Sequence, residues 1–158
     1  MKMSGEVLLA APRDTVWQML NDPEVLKGCI PGCENLTKLS EVEFEAVAVN
    51  KVGPVKARFK GRVRLEDLDP PNGYRIVGEG DGGIAGFAKG GATVSLVEGD
   101  GRTTTLRYDV DAQIGGKLAQ LGQRLVNGVA KKLADQFFER FAETAAKAAV
   151  QSAKADGS

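Results

Sequence analysis

Strict alternation of apolar and charged residues marks one segment of the chain, from Val55 to Glu66. A period of two is typical of a β-strand with one buried and one solvated face. We therefore predict a half-buried antiparallel strand here. One face would carry Val55, Ala57, Phe59, Gly61, Val63 and Leu65. The other would carry Lys56, Arg58, Lys60, Arg62, Arg64 and Glu66.

Shorter apolar runs between turn residues predict five more strands. Gly, Pro, Asn and Asp cluster between several of these runs, as expected for tight connections between antiparallel neighbours. The predicted strands cover residues 6–10, 44–49, 74–77, 86–97 and 103–112.

Helical signals lie near both ends of the chain. Pro12 and Asp14 suit the start of a first short helix, and Asp22 followed by Pro23 suits the cap of a second one ending near Gly28. Pro31 and Gly32 then predict a type II turn over residues 30–33. A long amphipathic helix is predicted over 116–149. Its apolar positions are Leu118, Leu121, Leu125, Val129, Leu133, Phe137 and Phe141.

This order of elements predicts an α+β domain in which one long helix covers a curved antiparallel sheet. The chain has 158 residues, which suits a single domain. We assign residues 1–150 to that domain. Residues 151–158 are rich in Ala, Lys and polar residues, and we expect them to form a disordered tail.

Composition excludes several function classes. Lys and Arg number 21, as do Asp and Glu, so the chain lacks the basic excess typical of nucleic-acid binding. Histidine is absent, which excludes Ser-His-Asp and Cys-His catalysis and His-ligated metals.

The two cysteines, Cys29 and Cys33, are too few for a zinc site, and we expect reduced thiols or a regulatory disulfide. No metal and no cofactor are predicted. No apolar run reaches 18 residues and no secretory leader is visible, so we expect a cytoplasmic protein.

Particular residues give the chain a family resemblance. The segment 11–20 resembles the first helix of the SRPBCC superfamily, also called START-like or Bet v1-like. Within it, residues 21–26 followed by Cys29-Ile30-Pro31-Gly32-Cys33 are similar to the CoxG subunit family of carbon monoxide dehydrogenase. Segments 116–122 and 134–138 also look like that family, and the match covers about residues 2–145.

The resemblance implies a helix-grip fold with a deep apolar cavity between the sheet and the long helix. It also implies a non-catalytic accessory protein that binds a lipid- or quinone-like molecule and is associated with a CO dehydrogenase-type molybdenum hydroxylase. We expect Phe137 and Phe141 to be core, and the apolar residues nearer the start of the long helix to face the cavity. The candidate cavity residues are Trp17, Leu20, Leu26, Ile30, Phe44, Phe59, Ile76, Phe87, Leu118, Leu121, Gly122 and Leu125.

Several interpretations stay open at this point. Glycines on the strands and in the long helix either leave space for a ligand or allow close packing. The basic face of strand 55–66 is either a docking surface or a solvated face, and a solvated face is favoured. The Gly-rich segment 81–86 is interpreted as a mobile loop at the cavity mouth. A cyclase- or hydratase-like enzyme using Tyr74 or Tyr108 is the alternative function. Peripheral contact with the inner face of the cell membrane and a homodimer are also left open.

Overall fold

The computed structural model describes residues 1–156, in which seven antiparallel strands form one curved sheet. The strands are β1 (Lys2–Leu9), β2 (Cys33–Lys38), β3 (Glu43–Val52), β4 (Val55–Asp69), β5 (Gly73–Asp81), β6 (Phe87–Glu98) and β7 (Thr104–Gly115). Their order in the sheet is β1-β7-β6-β5-β4-β3-β2. Every neighbouring pair is antiparallel. The six predicted strands are therefore confirmed, and all but β6 are longer than their predicted ranges.

Among the described residues, four helices accompany the sheet: α1 (Arg13–Leu20), α2 (Pro23–Cys29), α3 (Lys117–Gln120) and α4 (Gln123–Asp156). A single 3-10 turn, Gly83–Ala85, lies between β5 and β6. The predicted cap of α2 is confirmed, because Asp22 accepts a hydrogen bond of 3.0 Å from the backbone N–H of Glu24. A bond of 3.2 Å from the N–H of Cys33 to the carbonyl of Ile30 closes the predicted turn, where Gly32 has φ of +72°.

The register between β3 and β4 places one set of their side chains on the face of the sheet that is directed to the core. Phe44 is opposite Val63, and Ala46 is opposite Gly61. These residues are on the inward face, whereas Glu43 and Arg64 form the neighbouring outward pair. The alternation predicted for β4 is confirmed, because Lys56 and every second residue after it are exposed.

α4 is anchored to the rest of the molecule through its second half. Phe141 and Ala145 are completely buried in a cluster that also contains Leu9, Val16 and Leu106. Residues 122–125 of the same segment are exposed. Only part of the long amphipathic helix therefore covers the sheet.

Three features differ from the sequence prediction. The strand β2 was missed, because Leu36 is the only large apolar residue in its Cys33–Lys38 segment and the alternation is weak. The predicted helix 116–149 is interrupted before α4, where Gly122 adopts φ of +95°, a conformation that ends a helix. Residues 151–156 of the expected disordered tail continue α4, whose alanines and lysines favour helix. Residues 157 and 158 of that tail lie outside the described residues.

Candidate functional site

An apolar cavity of about 280 Å³ lies in the protein interior. The first two helices, strands β2 to β7 and α4 all contribute to its wall. Its lining residues are Leu20, Leu26, Ile30, Leu36, Phe44, Ala46, Gly61, Val63, Leu65, Tyr74, Ile76, Val94, Leu106, Phe137 and Phe138. A cavity with this lining suits a hydrophobic small molecule.

Small residues on two neighbouring strands help to leave this space open. Ala46 on β3 and Gly61 on β4 are opposite each other, and both line the cavity. A methyl group added at Gly61 would meet its nearest neighbours, two backbone oxygens, only at 3.8 and 3.9 Å. By contrast, one added at Gly78 would come within 2.6 Å of Val63 Cγ1. Gly61 therefore contributes empty space, whereas Gly78 serves close packing.

Three aromatic rings of α4 form a cluster beside the cavity. Phe137 and Phe141 are stacked with 5.7 Å between centroids, and Phe138 is perpendicular to Phe137 at 5.0 Å. Phe138 also stacks on Tyr108 of β7 at 4.9 Å. These contacts pack Phe137 and Phe138 against each other and against β7 beside the cavity.

Tyr74 is the only side chain with a polar atom in the cavity lining, within the described part of the chain. It is 6% exposed, and the ring of Trp17 meets it edge-on at 5.4 Å. Burial raises the pKa of the Tyr74 phenol far above its ordinary value. The phenol is therefore neutral at physiological pH and can donate a hydrogen bond.

The structure brings five of the twelve predicted cavity residues together in the lining. They are Leu20, Leu26, Ile30, Phe44 and Ile76. Trp17 packs against the core behind Tyr74, and Leu118 is buried elsewhere. The other five are Phe59, Phe87, Leu121, Gly122 and Leu125, none of which belongs to this lining. Whether the twelve residues bind a ligand stays a prediction.

The helical contribution to the cavity differs from the expected one. Leu118, Leu121 and Leu125 precede the anchored half of α4, and it is Phe137 and Phe138 that reach the cavity. The reason is the break at Gly122, after which Leu125 contacts the β3–β4 turn and is 39% exposed. Sequence reasoning also missed ten lining residues. Alternation along β4 does carry the signal for Gly61, Val63 and Leu65, because it places them on its inward face.

Five apolar side chains outside the cavity lining are exposed or half-buried, and we call this group the rim (Phe59, Ile84, Phe87, Leu121 and Leu125). Along the inward face of β4, Phe59 follows Gly61 and lies against Gly82. Ile84 is 87% exposed and Phe87 43% exposed. The Gly-rich segment 81–86 thus forms a short turn at this rim, and its mobility stays a prediction.

The basic face of β4 and the charged residues of its neighbouring strands are on the solvated outside. Arg58 pairs with Glu34 at 2.8 Å and Arg62 with Glu43 at 3.3 Å, all on partly or fully exposed side chains. Such surface pairs contribute little to stability. The carboxylates at 79, 81, 109 and 111 are likewise exposed. None of these groups reaches the cavity.

Cys29 and Cys33 are both free thiols, the first buried and the second half-buried. Burial raises the pKa of each thiol, so both favour the protonated form. Within residues 1–156, no three His, Cys, Asp or Glu side chains gather closely enough to hold a metal ion. The described helices include none with the length and apolar character needed to cross a membrane.

Solved structures with this architecture come from several bacteria. A conserved protein from Geobacillus kaustophilus has a TM-score of 0.87 and 32% sequence identity, over 93% of this chain and 96% of that one. The Zhui aromatase/cyclase from Streptomyces sp. R1128 has a TM-score of 0.66 and 15% identity, over 92% and 93% of the two chains. A START superfamily protein from Mycobacterium smegmatis has a TM-score of 0.62 and 18% identity, over 95% and 97%. At these lower identities the likeness shows the fold alone.

Sequence comparison carries the assignment further than fold does. The sequence matches no curated protein. The family model of the carbon monoxide dehydrogenase CoxG subunit matches residues 5–146, which includes α1, α2, the cavity wall and most of α4. The fold is the α+β helix-grip arrangement that the resemblance implied. The chain therefore belongs to the CoxG subunit family of carbon monoxide dehydrogenase.

Proposed function

We propose that the chain is a non-catalytic carrier that holds a hydrophobic, lipid- or quinone-like molecule in the interior cavity. The observation that carries this proposal is the lining itself, in which fourteen of fifteen residues have no polar side-chain atom. Removing an apolar molecule from water into such a space is favourable by about 25 cal/mol for each Å² of apolar surface buried. The family assignment supports an accessory role beside a CO dehydrogenase-type molybdenum hydroxylase, which would be the partner of the loaded protein.

The non-catalytic part of the proposal follows from what the cavity lacks. General acid–base catalysis needs a titratable group within hydrogen-bond reach of the substrate. Among the described residues, the lining offers no carboxylate, no amine and no thiol. The neutral phenol of Tyr74 is the one candidate. The phenol can polarise a carbonyl group, but its raised pKa keeps it protonated, so it is not available as a general base.

The test is solvent extraction of the purified protein, followed by mass spectrometry of the extract. A hydrophobic molecule in stoichiometric amount is the expected result. The matched control is Gly61→Val, which fills part of the cavity and should lose that molecule while remaining folded. An extract free of hydrophobic molecules, together with no uptake of added lipid or quinone, would refute the carrier function.

A cyclase- or hydratase-like enzyme is the second candidate function, and the position of Tyr74 on the cavity wall favours it. A single neutral donor aimed at a substrate carbonyl can stabilise an enolic intermediate. The fold is also that of an aromatase/cyclase, at an identity that carries no functional argument. Tyr74→Phe should abolish turnover of an apolar carbonyl substrate if this candidate is correct, and Tyr108→Phe should not.

We propose that the rim is where a hydrophobic molecule enters the protein. We also propose that the rim binds peripherally to an anionic membrane, as at the inner face of the cell membrane. Residues 112–134 contain Lys117, Arg124, Lys131 and Lys132 but no Asp or Glu. Lys131 is paired with Asp135 at 3.0 Å. Lys117 and Arg124 are exposed and lie in the segment that supplies Leu121 and Leu125 to the rim. Each cation near an anionic membrane contributes about 1 kcal/mol of binding free energy.

Flotation with lipid vesicles tests this contact. The double variant Lys117→Gln and Arg124→Gln should bind vesicles containing phosphatidylserine about 30-fold more weakly than wild type, since two cations contribute about 2 kcal/mol. The matched control is Lys147→Gln with Lys154→Gln, which removes two cations from the other end of α4. Equal loss in both double variants, or no binding by wild type, would refute a rim-directed contact.

A further inference from the structure

Among the described residues, Tyr74 is the one lining residue whose side chain carries a polar atom, its hydroxyl oxygen. The Tyr74 ring is 6% exposed and belongs to the cavity wall. Among the described residues, no donor or acceptor is hydrogen-bonded to its hydroxyl group, and burial alone accounts for its perturbed ionisation. Within residues 1–156, the side-chain atoms that are buried without a hydrogen-bond partner are Arg13 Nε and Asn127 Oδ1. The Tyr74 oxygen is not among them, so it keeps accessible surface and can contact a bound molecule.

The surroundings of Tyr74 hold the ring in one place. Trp17 of α1 packs edge-on against the Tyr74 ring, and the backbone of Tyr74 is paired with Val94 of β6. Phenylalanine would present the same ring without a hydroxyl group. The hydroxyl is therefore the one side-chain group of the lining that can make a hydrogen bond to a bound molecule.

The chemistry of the wall limits which polar group a ligand can bring. A carboxylate would be buried without a cation, because no described lining residue is basic. A hydroxyl group would bring its own donor into a wall with no acceptor beyond the Tyr74 oxygen. A carbonyl group needs one donor and supplies none, which matches the single phenol.

We propose that the Tyr74 hydroxyl donates a hydrogen bond to a carbonyl oxygen of the bound molecule, so that the cavity prefers hydrophobic carbonyl compounds to hydrocarbons of the same shape. This inference rests on the proposed carrier function and narrows its ligand class. Both a quinone ring and a lipid ester supply such a carbonyl group, and the experiment below separates them.

Two matched pairs of probes test the inference by titration, with Trp17 fluorescence and thermal shift as readouts. One pair is 2,3-dimethyl-1,4-naphthoquinone and 2,3-dimethylnaphthalene, and the other is methyl nonanoate and decane. Tyr74→Phe should weaken binding of the preferred carbonyl probe about 2- to 12-fold, the range for one neutral hydrogen bond, and leave its hydrocarbon partner unchanged. The matched control is Tyr108→Phe, because Tyr108 is outside the cavity lining. It should leave all four affinities unchanged.

A spectroscopic readout separates a direct contact from a structural effect. The carbonyl stretch of the bound carbonyl probe should move to lower frequency in wild type and in Tyr108→Phe, and return in Tyr74→Phe. Stronger dependence on Tyr74 for the naphthoquinone would indicate a quinone, and stronger dependence for the ester would indicate a lipid. Equal effects of Tyr74→Phe on both members of each pair, or no effect on either, would refute the hydrogen bond from Tyr74 to a carbonyl group. The carrier function would not be affected by that result. No binding of any probe by wild type would refute the carrier function as well.

Discussion

Replacing Gly61 by valine should make the ligand-free protein more stable and weaken its ligand binding. The side chain would project from β4 into the cavity, beside Ala46, where the first added atom meets only ordinary contacts at 3.8 and 3.9 Å. Three added carbon atoms bury about 0.8 kcal/mol each, and removing a strand glycine contributes about 0.5–1 kcal/mol. Side-chain entropy and imperfect fit offset part of this sum. We expect the free energy of unfolding to rise by about 1–3 kcal/mol.

The assay is urea denaturation followed by Trp17 fluorescence, with ligand titration on the same samples. Affinity for an apolar probe should fall at least about tenfold, because the ligand and the valine compete for one volume. The matched control is Gly78→Ala. Its added methyl group would lie 2.7 Å from the backbone oxygen of Arg62, so this variant should lose about 1–3 kcal/mol. The reasoning is refuted if Gly61→Val is destabilised as much as Gly78→Ala, or if it binds the probe as wild type does.

Three further predictions concern pH and individual hydrogen bonds. Burial raises the pKa of Tyr74 in the folded protein, so its phenol ionises at lower pH in the unfolded chain. The stability that the neutral phenol contributes below about pH 10 is therefore lost as the pH rises. At pH 11 wild type should have lost about 1.4 kcal/mol more than Tyr74→Phe in urea denaturation, and parallel pH profiles would contradict this. Thr104→Val should cost about 1–3 kcal/mol by the same assay, since the buried Thr104 hydroxyl donates a 2.8 Å hydrogen bond to the carbonyl of Ala11. Thr104→Ser should keep that bond, and equal losses in both variants would argue against it. Asp22→Ala should cost about 1 kcal/mol in thermal or urea unfolding by removing the cap on Glu24, whereas Asp22→Asn should be nearly neutral.

Local patterns in the sequence predicted most of the fold. The alternation along β4, the Asp22–Pro23 cap and the turn at Gly32 each depend on neighbouring residues, and all three were confirmed. The break at Gly122 was missed because a glycine inside an amphipathic stretch is compatible with both a continuous and an interrupted helix. Backbone conformation there depends on contacts from distant elements, such as the β3–β4 turn beside Leu125.

The cavity was harder to predict, because the residues that line it depend on how neighbouring strands align with each other. Pairing of Ala46 with Gly61 requires knowledge of how β3 aligns with β4, and one residue of slip would exchange the two faces. Phe137 has the same helical periodicity as Phe141, yet the first lines the cavity and the second is fully buried. Sequence periodicity identifies the apolar face of α4 but cannot locate where that face stops being covered.

The uneven anchoring of α4 has a consequence for how the molecule fluctuates. A helix whose second half holds Phe141 and Ala145 in the core, and whose first turns remain exposed, should open from its N-terminal end without global unfolding. Backbone amides of residues 127–132 should therefore exchange with deuterium much sooner than those of 137–145. Such partial opening would leave the sheet and the buried residues Phe141 and Ala145 in place.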